Sequence, residues 1–228
     1  METLLVTSYY PLSRSKYSHE IYNTWLQYFF YSVTCPVIFF CPPELVETLK
    51  CKSKSNVTFI GRDFDSWDMM KEPQMEKWRQ CWKVDPEQNI HSPQLYAIWA
   101  AKQEFVREAI TLVESKVYIW CDAGCFRTKR DGSFKNVQKY IQSSKITCLD
   151  VTSLCNGQKL IGGGVLAGDK NAWINFSSLY LTELSKNIHW KDQVVFNRIL
   201  NFSNAVIITS TREYGDPWFY LTYIFSFS

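Results

Sequence analysis

Three short stretches carry residues whose types and spacing suit chemistry. Asp122 closes the run YIWCDAG at 118–124, where a strand-like apolar segment ends on a carboxylate followed by Ala123 and Gly124. An acid at a strand end either opens a turn by accepting from the backbone ahead of it or presents its charge to a cleft. In a cleft it can hold Mn²⁺ or Mg²⁺, because such cations take one or two carboxylates and complete their shell with substrate phosphates. The second stretch, IGGGVLAG at 161–168, sets three consecutive glycines inside an apolar run. They weaken a strand and mark either a sharp bend or close approach of backbone to ligand. The third, KDQVVFN at 191–197, puts Asp192 and Gln193 at a helix start. There the acid either caps the helix or accepts from sugar hydroxyls while the amide faces the reacting carbon.

These residues need elements to position them. Leu4, Leu5 and Val6 run into Thr7, Ser8, Tyr9, Tyr10 and Pro11, a strand followed by a polar and aromatic loop of the kind that binds ligands in open α/β sheets. Tyr17, Ile21, Trp25 and Tyr28, at mixed three and four spacing, predict a helix over 17–31 with a wide buried face. Residues 36–40 and 57–60 read as strands, with a short helix opening at Pro42-Pro43 between them. Residues 63–89 hold Pro73 and Pro86, have no steady period, and predict an irregular excursion with a short helix. Ser92 followed by Pro93 is a cap with a first-turn proline, opening a long helix to Leu112 that contains Lys102. Strands are expected at 116–121, 146–151 and 205–209, and helices at 172–184 and 192–200. The alternation predicts an α/β fold over residues 1–228, one domain built on a mostly parallel twisted sheet flanked by helices.

Composition removes several classes of function. With 46% hydrophobic and 16% aromatic residues, the chain reads as an ordered globule. A net charge of +3, spread along the sequence, lacks the concentrated basic surface that nucleic-acid binding needs. The densest basic cluster, RTKR at 127–130, reads as a solvated loop, or as a phosphate patch favoured by its place after YIWCDAG. The eight cysteines show no CxxC pair, which argues against zinc, and several fall in strand-like runs where reduced cysteine behaves as a small hydrophobe. GGGVLAG fits neither a dinucleotide fingerprint nor a P-loop, and His19, His91 and His189 have no triad signature. No leader pattern and no run of about 18 apolar residues is found, so a cytoplasmic protein with no membrane span is expected.

Taken in order, W-x-D-A-G at 120–124, G-G-G-V-L-A-G-x-x-x-x-W at 162–173 and D-Q-x-x-F-N at 192–197 resemble the HtrL/YibB family. Beyond it they resemble the GT-A glycosyltransferases of the glycogenin type. The likeness runs from LLVTSYY to DQVVFNRIL. It implies a GT-A-like fold with Mn²⁺ or Mg²⁺ and the nucleotide diphosphate at Asp122, the donor sugar against Gly163 and Gly164, and the reaction centre against Asp192 and Gln193. It also implies that Thr7, Tyr9 and Arg14, after the first strand, hold the donor's base and ribose, and that Lys102 reaches the diphosphate or a sugar hydroxyl. Two positions depart from the pattern. Trp120 stands where a D-x-D signature has its first acid, and in YGDPW at 214–218 Asp216 stands where the glycogenin group has a lysine.

The function expected from the resemblance is transfer of a sugar from a nucleotide-sugar donor, UDP-linked, to a glycan or other hydroxyl acceptor, with retention favoured. Trp120 favours a different reading, a noncatalytic nucleotide-sugar or carbohydrate binding protein on the same fold. A nucleotidyltransferase would want a basic Gly-rich loop after the first strand, which TSYYPLSRS is not. No oligomeric state is implied.

Overall fold

A computed structural model of the chain describes residues 1–155, 157–186, 191–213 and 215–227. Tyr214 and His189, both noted in the sequence, lie outside the described residues. Seven strands form one sheet: β1 (Thr3–Ser8), β2 (Val37–Cys41), β3 (Val57–Gly61), β4 (Val117–Cys121), β5 (Ile146–Asp150), β6 (Ile161–Gly168) and β7 (Ala205–Thr209). Their order is β3-β2-β1-β4-β6-β5-β7. All pairings are parallel except those of β6, which runs antiparallel to both β4 and β5. The α/β class and the mostly parallel sheet flanked by helices are therefore as expected. The direction of β6 is new, since an apolar run does not encode strand polarity.

The helices are α1 (His19–Ser32), α2 (Val46–Lys50), α3 (Gln74–Lys83), α4 (Pro93–Leu112), α5 (Lys170–Lys186), α6 (Asp192–Ile199) and α7 (Tyr220–Phe227). Helix α1 begins two residues later than its periodicity suggests, because Ser18 caps it by accepting from the Ile21 N–H. Ser92 caps α4 in the same way, accepting from Leu95, and Pro93 fills the first turn. Strand residues alternate between two cores, as a period of two requires. Leu4, Val6, Ile38, Phe40, Tyr118 and Trp120 face α4, α5 and α6, against Phe105, Val106, Trp173 and Phe196. Leu5, Val37, Phe39, Ile119 and Cys121 face the opposite layer, with Phe29 and Phe30 of α1 and Leu221 and Phe225 of α7. Helix α7 thus covers this core, with Leu221 and Phe225 fully buried.

The glycine run is part of a strand and lies at a fault in its pairing. Residues 161–168 form an interior strand that pairs with β4 over 165–168 and with β5 at 161, 162 and 167. The register with β5 shifts between Gly162 and Ala167, so Gly163 and Gly164 sit where that ladder is interrupted, and glycine inside a strand commonly marks such a bulge. All eight cysteines are free thiols and six of them are buried. Among the described residues no helix is long and apolar enough to cross a membrane.

Chain direction fixes where a ligand can enter. From β1 the chain moves outward through α1 to β2 and β3, and α4 then carries it back to β4 on the other side of β1. The connections on either side of the β1–β4 pair therefore run in opposite directions across the sheet, and the carboxyl ends of these two strands form a topological switch point, where open α/β sheets hold a crevice.

Candidate functional site: an aromatic cleft over a buried ion triad

Trp120 lies on the α4 face of β4, and a period of two puts Asp122 on that face as well. Lys102 meets it from α4. The Lys102 ammonium is almost wholly buried, donates to Asp192 Oδ2 at 2.7 Å and to the Gly163 carbonyl at 2.8 Å, and lies 3.4 Å from Asp122 Oδ1. Asp192, also buried, accepts from the Gln193 N–H through its other oxygen at 2.8 Å. Asp122 Oδ1 further accepts from the Trp120 indole N–H at 2.9 Å. Burial opposes the charge on Lys102, but Asp122 and Asp192 outweigh it and hold the ammonium above the ordinary lysine value. Burial raises the Asp122 carboxyl; Lys102 pulls it down, Asp192 pushes it up, and the net shift is upward.

Above this floor lies a cavity of about 170 Å³. The last residue of β1, Ser8, lines it together with Tyr9 and Tyr17 of the following loop, Tyr22 and Trp25 of α1, and Ile98, Trp99 and Lys102 of α4. Trp120, Asp122, Ala123 and Arg127 come from the end of β4, and Phe219 from the turn before α7. The Arg127 guanidinium carbon stands 4.8 Å from the Trp25 ring centre, 5.2 Å from Phe219 and 5.6 Å from Tyr17. One of its terminal nitrogens pairs with Asp216 at 3.0 Å, while its Nε is buried without a partner. The Ser8 hydroxyl is likewise buried and unpartnered. Tyr22 is raised above the ordinary tyrosine value by burial and by the nearby Asp122 charge, against a hydrogen bond from Ser15 that lowers it.

Each residue marked in the sequence now has a place. Asp122 and Tyr9 line the cavity, as does Lys102, though its ammonium is spent on the carboxylates beneath. Thr7 does not line it: it shares the face of Leu5 and is fully buried, so Ser8, one residue on, takes the cleft position. Arg14 turns away, donating to the Gln88 carbonyl at 3.0 Å and lying 5.6 Å from the Trp82 ring centre. Gly163 and Gly164 leave room for the protein itself. A β-carbon on Gly163 would stand 2.6 Å from Asp192 Oδ2, and one on Gly164 would stand 2.5 Å from the Phe219 ring. The space beside Gly124 is filled in the same way by the Trp25 indole. Asp192 and Gln193 are not among the residues that line the cavity, and Asp192 is tied to it by its bond to Lys102. Arg127, read in the sequence within a cluster that is either a solvated loop or a phosphate patch, is a wall of the cleft. Its aromatic neighbours Trp25 and Phe219 are about a hundred residues away on either side, which no local pattern reports.

The donor set does not make a resident Mn²⁺ or Mg²⁺ site. Where a second acid would stand, Trp120 points an N–H donor at Asp122. Asp192 is committed to Lys102 and its own helix, and the ammonium beside Asp122 Oδ1 repels a further cation. Asp122 Oδ2 alone remains, so water and substrate phosphates would have to supply the rest of the shell of any cation held there. Among the described residues a second group that could hold a cation, Asp85, Glu87 and His91, has both Asp85 oxygens and one Glu87 oxygen engaged. Asp85 bonds His91 Nδ1 at 2.7 Å and the Tyr96 hydroxyl, and Glu87 pairs with Lys191.

No protein-family model and no curated protein matches the chain. Solved structures of similar outline include 4-diphosphocytidyl-2C-methyl-D-erythritol synthase from Anaerococcus prevotii, with a TM-score of 0.45 and 9% identity over 92% of this chain and 88% of that one. CMP:2-keto-3-deoxy-manno-octonic acid synthetase complexed with CTP gives a TM-score of 0.45 and 11% identity over 92% and 90%. The bifunctional IspDF from Campylobacter jejuni gives 0.41 and 12% over 92% of this chain and 50% of that one. The likeness is one of chain outline.

Proposed function

We propose that this chain is a GT-A-type glycosyltransferase, akin to the HtrL/YibB family, that moves a sugar from a UDP-linked donor to a hydroxyl of a glycan or similar acceptor. The observation that carries the reading is the convergence of Asp122, Lys102 and Asp192, from three separate elements, beneath an aromatic cleft at the switch point. Asp122 presents its free Oδ2 to the ligand. Lys102, itself clamped by Asp192 and the Gly163 carbonyl, holds that carboxylate in place, so Lys102 and Asp192 are positioning residues. Arg127 is the cation on the cleft wall, and negative charge developing on a leaving diphosphate would be stabilised beside it. A rigid acid and a fixed cation around one cavity are preorganised, which lowers the cost of meeting a transition state.

The test is release of UDP or GDP from a panel of nucleotide sugars by wild type and Asp122→Asn. Turnover of one donor, reduced on the order of a hundredfold by the substitution, supports the reading. Absence of turnover with every donor, alongside retained saccharide binding, moves the assignment to a noncatalytic carbohydrate-binding protein. That second reading has its own support in the Trp120 N–H that occupies the place of an acid. A nucleotidyltransferase is disfavoured by the segment after β1, which has no glycine and whose Arg14 turns away from the cleft.

A further inference from the structure

We propose that the amino edge of the sheet, where α1 and α7 end, is a docking surface for a bilayer that carries anionic lipids. The cleft lies at the carboxyl ends of β1 and β4, so this edge is on the opposite side of the molecule. Residues 129–136 build the surface by joining the two helix ends. At one end the Arg130 N–H donates to Ser32 Oγ at 3.2 Å, and Gly132 bridges Val33, just past α1. At the other end the Phe134 N–H donates to Ser226 Oγ at 3.3 Å and the Asn136 N–H to the Phe225 carbonyl at 2.8 Å, in the last turn of α7. Gln138 then reaches the carbonyl of Glu2, just before β1, which sets the whole segment at the amino edge.

Charge and exposed aromatic surface meet on this strip. Tyr31 is 59% exposed, and the ammonium groups of Lys129 and Lys54 stand 4.9 Å and 5.5 Å from its ring centre. Lys52 is exposed two residues before Lys54, and Lys135 is exposed beside the end of α7, where Phe227 is 46% exposed. The acid of the segment, Asp131, is half-buried and accepts from the Ser133 N–H and hydroxyl. Nearby, Lys50 pairs with Glu47 and Lys116 with Glu2, so each pair cancels. Four exposed lysines against one half-buried acid leave the strip three charges positive, as much as the net charge of the whole chain. The sequence scatters these lysines; the fold gathers them. A bilayer fits this chemistry better than a polyanion read group by group. The exposed cations are lysines, point charges on long apolar stems, while the arginine fork that would grip a single phosphate, Arg130, turns inward to the Cys125 carbonyl and the Thr222 hydroxyl. A lysine near an anionic lipid surface strengthens binding about fivefold, and exposed rings between lysines settle at the headgroup level. A chain docked by this edge keeps its cleft open to solvent.

Flotation with vesicles of phosphatidylcholine alone, and of phosphatidylcholine with about one third phosphatidylserine, tests the assignment at about 0.1 M and about 0.5 M salt. Binding is expected to the anionic vesicles at the lower salt, weakened about tenfold or more at the higher. Lys54→Glu combined with Lys129→Glu should weaken it on the order of a hundredfold. Lys83→Glu combined with Lys186→Glu makes the same change of net charge on exposed residues elsewhere and should weaken it less than about threefold. All four lysines are exposed, so unchanged urea midpoints show that both variants fold. Tyr31→Ser, with the lysines intact, should weaken binding about threefold. A DNA duplex serves as the competing polyanion. Binding of the duplex without binding of the vesicles overturns the proposal, as do equal binding to phosphatidylcholine alone, equal losses in the two charge-reversal pairs, and no binding to any vesicle.

Discussion

Replacing Lys102 with Met tests the central electrostatic claim, because the side chains are similar in length and only the ammonium is lost. In the folded protein Lys102 is 3% exposed and its partner Asp192 is 6% exposed, so water cannot take over when the charge goes. Breaking such a buried pair from one side costs about 3–5 kcal/mol. The substitution leaves two carboxylates, Asp122 and Asp192, beside each other with no cation between them. Losing the bond to the Gly163 carbonyl adds about 1 kcal/mol. Destabilisation should therefore be about 4–6 kcal/mol. Urea unfolding followed by tryptophan fluorescence measures it. Adding Asp192→Asn should recover most of the loss, because it removes one of the two stranded charges. A loss below about 1 kcal/mol would refute the buried triad.

Gly163→Ala should destabilise by about 1–3 kcal/mol, since the new methyl group would meet an Asp192 carboxylate that Lys102 prevents from swinging aside; a neutral result in thermal denaturation would show that the close approach is not real. Glu104, on α4, is pushed up to about 7 by burial, opposed by the Met69 N–H and reinforced by Asp68. Its folded state favours the protonated acid, so the stability it contributes is present below pH 4.5 and is lost as pH rises through about 7. Glu104→Gln should match wild type near pH 4.5 and exceed it at pH 8 by about 1–3 kcal/mol, and equal stabilities at pH 8 would count against the assignment.

Much of the framework was legible in the chain because its causes are local. Ser92 and Pro93 announce α4 to the residue, as cap and first-turn proline act within one turn. The run 205–209 matches β7 because a strand's apolar signal lies in adjacent positions. Asp122 was found for the same reason, a carboxylate at the end of an apolar segment. What it meets was decided elsewhere. Lys102 lies 90 residues from Asp192 and 61 from Gly163, and only the return of α4 across the sheet brings the three together. The choice of Ser8 over Thr7 is a matter of which face each presents, and that depends on the side of the sheet where α4 packs. Motif order could suggest that the glycines serve a ligand, yet their space is taken by Asp192 and Phe219. Residue types and short-range periods were set by the sequence alone; charge balance, free lone pairs and the vacant volume belong to the tertiary structure, because each is a sum over groups that the chain order keeps far apart.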